Sequence, residues 1–230
     1  PTMISAGSNL TNNTATGTGG AINVGSGAVT VTDSTLNDNT AGGTGGAINA
    51  DSSTVTVTDS TVNGNKGVSG GAIFNGGTTI VTNSNFNNNE AHSTDGSGGA
   101  ICSVGGPISV TGGSMNGNKA NKGGAVCSYA GGADAVNISG TSFDGNSTNN
   151  QGGAIFTESG AVNISNNASF TDNKADGAGG AIFTNSGTVS VNGSSLTGNS
   201  AGAGGAICNV NGPTMISAGS NLTNNTATGT

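Results

Sequence analysis

Apolar residues are sparse in this chain, and their placement is strict. Alternating β-branched stretches recur as "AVTVT" from Ala28, "TVTVT" from Thr54, "PISVT" from Pro107, "AVNIS" from Ala135 and from Ala161, and "TVSVN" from Thr188. A period of two in such residues predicts a short strand with one buried face. A second landmark, "GGAI" or "GGAV", begins at Gly19, Gly45, Gly70, Gly98, Gly123, Gly152, Gly179 and Gly204. A third is a large apolar residue with Asn three positions later: Leu10/Asn13, Leu36/Asn39, Val62/Asn65, Phe86/Asn89, Met115/Asn118, Phe143/Asn146, Phe170/Asn173, Leu196/Asn199 and Leu222/Asn225. The pattern predicts three short extended segments per repeat, separated by Gly, Ser and Asn turns. No stretch has helical periodicity, and glycine is too frequent for a helix to survive.

The glycine-pair motif returns at intervals of 26, 25, 28, 25, 29, 27 and 25 residues. Fixed-period self-similarity of this length marks a stacked-repeat architecture. The predicted fold is all-β: a parallel β-helix, or β-solenoid, with three short strands per coil and about 26 residues per coil. Three ladders are expected to line its interior. One is Ile22, Ile48, Ile73, Ile101, Val126, Ile155, Ile182 and Ile207. Another is Ile4, Val31, Val57, Val81, Val110, Ile138, Ile164 and Val191, and the last is the Leu/Val/Phe/Met set paired with Asn. One coil buries too little to offset the ordering of its backbone, so the fold depends on stacking. The glycine pair predicts a tight turn with φ > 0 and close approach of successive coils. Asn13, Asn39, Asn65, Asn89, Asn118, Asn146, Asn173 and Asn199 are expected to form a structural ladder, each amide bonding to its equivalents along the stack.

The first eighteen residues, "PTMISAGSNLTNNTATGT", recur without change at 213–230, an offset of 212 residues that contains eight coils. The expectation is that 1–230 is a single continuous solenoid and a window on a tandem array with a 212-residue block. Uncapped solenoid ends expose open strand edges, so end-to-end association is expected as well.

Composition alone would suggest disorder, with 45 Gly, 7% charged and 3% aromatic residues. The ladders override that prior. The net charge of −7 reflects a shortage of lysine, and the chain has neither a basic patch nor an aromatic platform for nucleic acid. No apolar run approaches ~18 residues, which excludes direct membrane insertion by a helix.

Candidate chemistry is thin. The eleven acidic residues are scattered rather than paired for acid/base work on a sugar, so the chain is not expected to be an enzyme. Asp33 and Asp59 occupy equivalent positions in successive coils, ~5 Å apart, and read as solvated surface acids or as ligands for Ca²⁺. His92, the single histidine, lies in "NNNEAHSTDGSGG" without a second ligand at metal spacing and reads as a loop residue. No cofactor or metal is expected. Cys102, Cys127 and Cys208 each follow the GGA[IV] motif directly. Cys102 and Cys127 belong to consecutive coils, about a strand spacing of ~4.8 Å apart, and are either packing residues or a candidate disulfide with tight geometry. Cys208 is expected to be remote from both.

The pairing of GGA[IV] with an apolar-x-x-Asn motif, literal FxxN at Phe86, Phe143 and Phe170, resembles the repeats of chlamydial polymorphic membrane proteins and related surface proteins. The resemblance covers the whole chain. It implies a right-handed β-helix, a secreted or surface-exposed location, and the passenger region of an autotransporter. It transfers no binding residue, because the motif is scaffold. The expected function is structural: an extracellular repeat protein forming a stiff fibre, stalk or sheath element on a microbial surface. The alternative is an adhesin passenger that binds host or neighbouring cells. The expected partners are further copies of itself, head to tail, laterally or by covalent continuation, and a host or neighbouring cell surface.

Overall fold

The computed structural model describes residues 1–132 and 135–229; Thr230, the last residue of the duplicate, lies outside them. The described residues form a parallel β-solenoid of about nine turns, with three strands per turn and no helix. Every strand pairs in parallel with the equivalent strand one coil away. Three sheets result, of fifteen, nine and four strands.

The largest sheet carries the glycine-motif strands and the alternating strands. In the coils beginning at Gly19 and Gly45 one continuous strand serves both, Ile22–Thr32 and Ile48–Thr58. In the next coil it divides into Ile73–Asn75 and Thr79–Thr82 at the corner formed by Gly76 and Gly77. The third ladder runs through Ser142–Asp144, Ser169–Thr171, Ser195–Thr197 and Asn221–Thr223, and isolated bridges such as Thr35↔Thr61 and Asn85↔Ser114 extend it through the earlier coils. The nine-stranded sheet lies just past each ladder Asn, from Thr14–Ala15 to Thr226–Ala227. Sequence reading assigned this stretch to turns. Its strands are mostly two residues long, and its inward position holds Ala, Gly or Thr rather than a large apolar side chain.

Register places the ladders in contact. Ile22 pairs with Ile48, Ile48 with Ile73, Ile73 with Ile101, Ile101 with Val126, Val126 with Ile155, Ile155 with Ile182, and Ile182 with Ile207. The second ladder runs likewise from Ile4↔Val31 to Val191↔Ile216. Ladder residues away from the ends are fully buried, with Leu36, Val62, Phe86, Met115, Phe143, Phe170 and Leu196 all at 0% exposure. Phe143 and Phe170 stack face to face, ring centroids 4.6 Å apart at 5°. Branched aliphatic residues suit this wall, because strands flanked on both edges and packed on one face reward stiff, compact side chains.

Candidate functional site

The most highly built feature is the corner that carries the asparagines. Each interior ladder Asn, from Asn39 to Asn199, is fully engaged. Asn65 donates from its backbone N (2.9 Å) and its Nδ2 (3.0 Å) to the Oδ1 of Asn89. Its second Nδ2 hydrogen goes to the carbonyl of Leu36 in the preceding coil, at 2.8 Å. Its own Oδ1 accepts both donors of Asn39. The same arrangement links Asn13 to Asn39 and continues through Asn89, Asn118, Asn146, Asn173 and Asn199 to Asn225. Asn39, Asn65, Asn89, Asn118, Asn146, Asn173 and Asn199 are each 0% exposed. Two acceptor and two donor sites per amide are used, so no polar capacity is buried unpaired.

Local backbone geometry sets up this ladder. The residue before each ladder Asn has positive φ: Asn12, Asp38, Gly64, Asn88, Gly117, Gly145, Asp172, Gly198 and Asn224. These are the residue types that tolerate the left-handed region. One position earlier, outside the stack, a second ladder runs in the opposite sense: the backbone N of Asn63 donates to Oδ1 of Asn37, that of Asn87 to Asn63, that of Asn116 to Asn87, and that of Asp144 to Asn116. Inner amides accept from the coil before and outer amides from the coil after, so the corner is clasped in both directions.

The glycine pair forms the next corner. The first glycine has positive φ in every copy, for example +60° at Gly70. At the second, an added Cβ would sit 2.0 Å from the carbonyl oxygen of the equivalent glycine one coil on, as at Gly71 against Gly99.

The cysteines occupy one outward column, Asn23, Asn49, Phe74, Cys102, Cys127, Phe156, Phe183 and Cys208, in unbroken register. Strand parity points these residues away from the main core, yet Cys102, Cys127, Phe156 and Phe183 are buried as a separate cluster. Cys102 and Cys127 lie side by side as free thiols on adjacent strands, paired in register. In-register parallel strands project the two Cβ atoms alongside one another, which favours thiol contact over the crossed geometry of a bridge. The hydrogen bond that the protonated Cys102 makes to Cys127, followed by burial, pushes the Cys102 thiol well above its ordinary range. Tyr129 closes the cluster. Its ring lies 5.9 Å from Phe156 and its hydroxyl 3.0 Å from Ser97 Oγ, and burial foremost pushes its pKa up to about 12. Lys122 Nζ sits 5.0 Å above the Phe156 ring. Cys208 is half-buried, far along the stack, and paired in register with Phe183.

Asp33 and Asp59 are exposed and occupy left-handed corner positions, φ 46° and 48°, which accounts for them structurally. Among the described residues no three His, Cys, Asp or Glu side chains converge as metal ligands. His92 is exposed beside a shallow cleft lined by Glu90, Lys119 and Asn121. The lysines lie on this same face, where Lys66–Glu90 (3.3 Å) and Lys174–Asp176 (3.5 Å) are solvent-exposed pairs that contribute little to stability.

Comparison with known proteins yields one family. The model of the Chlamydia polymorphic membrane protein (Chlamydia_PMP) repeat matches residues 33–51, 83–104, 140–158 and 162–185. Each match spans an apolar-x-x-Asn corner and the glycine pair that follows it. No curated protein and no solved structure matches the chain. With the asparagine corner and the glycine-pair turn as its recurring parts, the solenoid carries four stretches that are similar to the Chlamydia polymorphic membrane protein repeat.

Proposed function

We propose that this solenoid is a stiff structural segment of an extracellular surface protein, a stalk or fibre element, and that it continues covalently as a tandem array with a 212-residue period. The observation that carries this reading is the uninterrupted asparagine ladder from Asn13 to Asn225, combined with the unchanged return of residues 1–18 at 213–230. A rod held by satisfied, dry amides at every coil resists bending and local opening. The family match supports a surface location of the autotransporter type. Scattered acids and solvated corner carboxylates are consistent with a scaffold, and the reading assigns the chain no catalysis and no cofactor.

The second reading is an adhesin passenger, favoured by the repeat family itself. Purified material separates the two. A fibre element gives long unbranched rods, with no saturable binding to host or neighbouring cells. An adhesin stays monomeric and binds such cells with a defined affinity. Denaturing electrophoresis of native material tests the covalent array, which must run far above 21.5 kDa.

A further inference from the structure

Cys102 and Cys127 are neighbours in consecutive coils, both buried, with Phe74 in register below Cys102 and Phe156 above Cys127. Tyr129 lies over the pair, its hydroxyl hydrogen-bonded to Cys127 and, at 3.0 Å, to Ser97 Oγ. The Lys122 ammonium is 5.0 Å from the centre of the Phe156 ring. A disulfide needs Cβ atoms roughly 3.5–4.5 Å apart. In-register strands hold equivalent atoms at ~4.8 Å, wider than that. A bridging ion is free of the restriction: two metal–thiolate bonds of about 2.3 Å each, the zinc value, span roughly 4.6 Å in line. Among the described residues no group of three His, Cys, Asp or Glu converges, so the pair has no further ligand of these types. Tetrahedral zinc takes four ligands, and hard cations take several oxygens. Two thiolates alone suit a soft monovalent ion, and among the metals that thiolates select this is Cu(I).

We propose that Cys102 and Cys127 bind one Cu(I) ion as a two-coordinate bis-thiolate clip between consecutive coils. Binding forms two Cu–S bonds and breaks two S–H bonds. The two protons pass to solvent, and copper enters and stays as Cu(I), so no oxidant or reductant is consumed. The empty pair is held as neutral thiols by burial and mutual hydrogen bonding, and carries no charge until the ion replaces both protons. The loaded clip has one net negative charge. The Tyr129 hydroxyl donates to the Cys127 sulfur, and Lys122 supplies a nearby cation. The Phe74 and Phe156 positions close the column below and above, which keeps water and hard ligands out. Tyr129, 38% exposed, offers the way in by swinging its ring outward. Cys208 has Phe183 as its register neighbour and takes no part. The site joins two coils and assigns the chain no catalysis, and it stands or falls independently of the stalk reading.

The test uses the full 230-residue chain, reduced and kept free of oxygen, titrated with Cu(I) supplied as its bicinchoninate complex. One Cu(I) per chain should transfer, with a copper–thiolate absorption band in the ultraviolet and two sulfur neighbours of copper by X-ray absorption. Cys102→Ser and Cys127→Ser should each weaken binding by more than the factor of about 10–100 that a change outside the ligands costs, and Tyr129→Phe by about that factor with the stoichiometry kept. Cys208→Ser should bind as the parent does. Loading should raise the melting temperature of the parent and leave that of Cys102→Ser unmoved. The column accepts Asn and Phe in other coils, so circular dichroism should find the serine variants folded; where one is not, the alanine variant at the same position replaces it. A folded, reduced chain that takes no copper from bicinchoninate, copper retained by the double variant Cys102→Ser with Cys127→Ser, or copper lost with Cys208→Ser would overturn the proposal.

Discussion

Asn65 and Asn89 are joined twice through one atom: the backbone N and the Nδ2 of Asn65 both donate to Oδ1 of Asn89, at 2.9 and 3.0 Å, in a site that excludes water. Asn89 in turn donates to the Val62 carbonyl at 2.9 Å and to Asn118 Oδ1 at 3.1 Å. Asn89→Ala strands partners in the coils on either side of it, Asn65 and Val62 in one and Asn118 in the other. Unpaired buried polar groups cost about 1–3 kcal/mol each, so the expected loss is roughly 3 kcal/mol or more. Asn89→Asp keeps the acceptors but sets a carboxylate against the Val62 carbonyl and Asn118 Oδ1. Thermal melts should therefore find the Asp variant less stable than the Ala variant at neutral pH, and partly recovered in acid as the carboxyl regains a donor. Equal stability of Asn89→Ala and the parent would remove the ladder from the account.

Phe170 stacks on Phe143 below and abuts Leu196 above, so its column already accepts both shapes. Phe170→Leu is expected to cost less than about 1.5 kcal/mol, and Phe170→Ala about 3–5 kcal/mol, measured by denaturant unfolding.

The second glycine of each pair is set by the next coil rather than by its own φ. Gly71→Ala places a methyl 2.0 Å from the Gly99 carbonyl oxygen and should destabilise by roughly 3 kcal/mol or more, or prevent folding. Gly25→Ala, where nothing lies within 4 Å and φ is not in the left-handed region, should be close to neutral. Similar melting temperatures for the two variants would contradict the stacking distance.

Tyr129 titrates at about 12 instead of its ordinary 10, so the folded state favours the neutral phenol. Its contribution to stability is complete below about pH 10 and is lost as the pH rises through about 12. Ultraviolet titration of the folded chain should give a phenolate transition near that value. In the same fold, Cys208 should react with an alkylating reagent well before the buried pair Cys102 and Cys127. Any intramolecular bridge formed under oxidation should join only that pair.

The interior ladders were legible in sequence because a solenoid repeats one burial pattern at every coil, so each column is read many times. Val31 beneath Val57 and Ile155 beneath Ile182 follow from spacing alone. The outer Asn37–Asn63–Asn87–Asn116 ladder was missed because its positions also hold Thr and Asp, and a polar surface residue leaves no periodic signal in hydrophobicity. Burial of Cys102 and Phe156 was not legible, since strand parity points them outward and residues such as Tyr129, Ser97 and Lys122 cover them from neighbouring segments.

Fibre diffraction from oriented native material tests the central claim most directly. A solenoid advances one strand spacing per coil, so a reflection at ~4.8 Å must lie along the fibre axis. A tandem array of eight-coil blocks adds an axial repeat of roughly 38 Å. Both spacings on the axis are the predicted result; a ~4.8 Å reflection absent from the axis would contradict the stacked-coil rod.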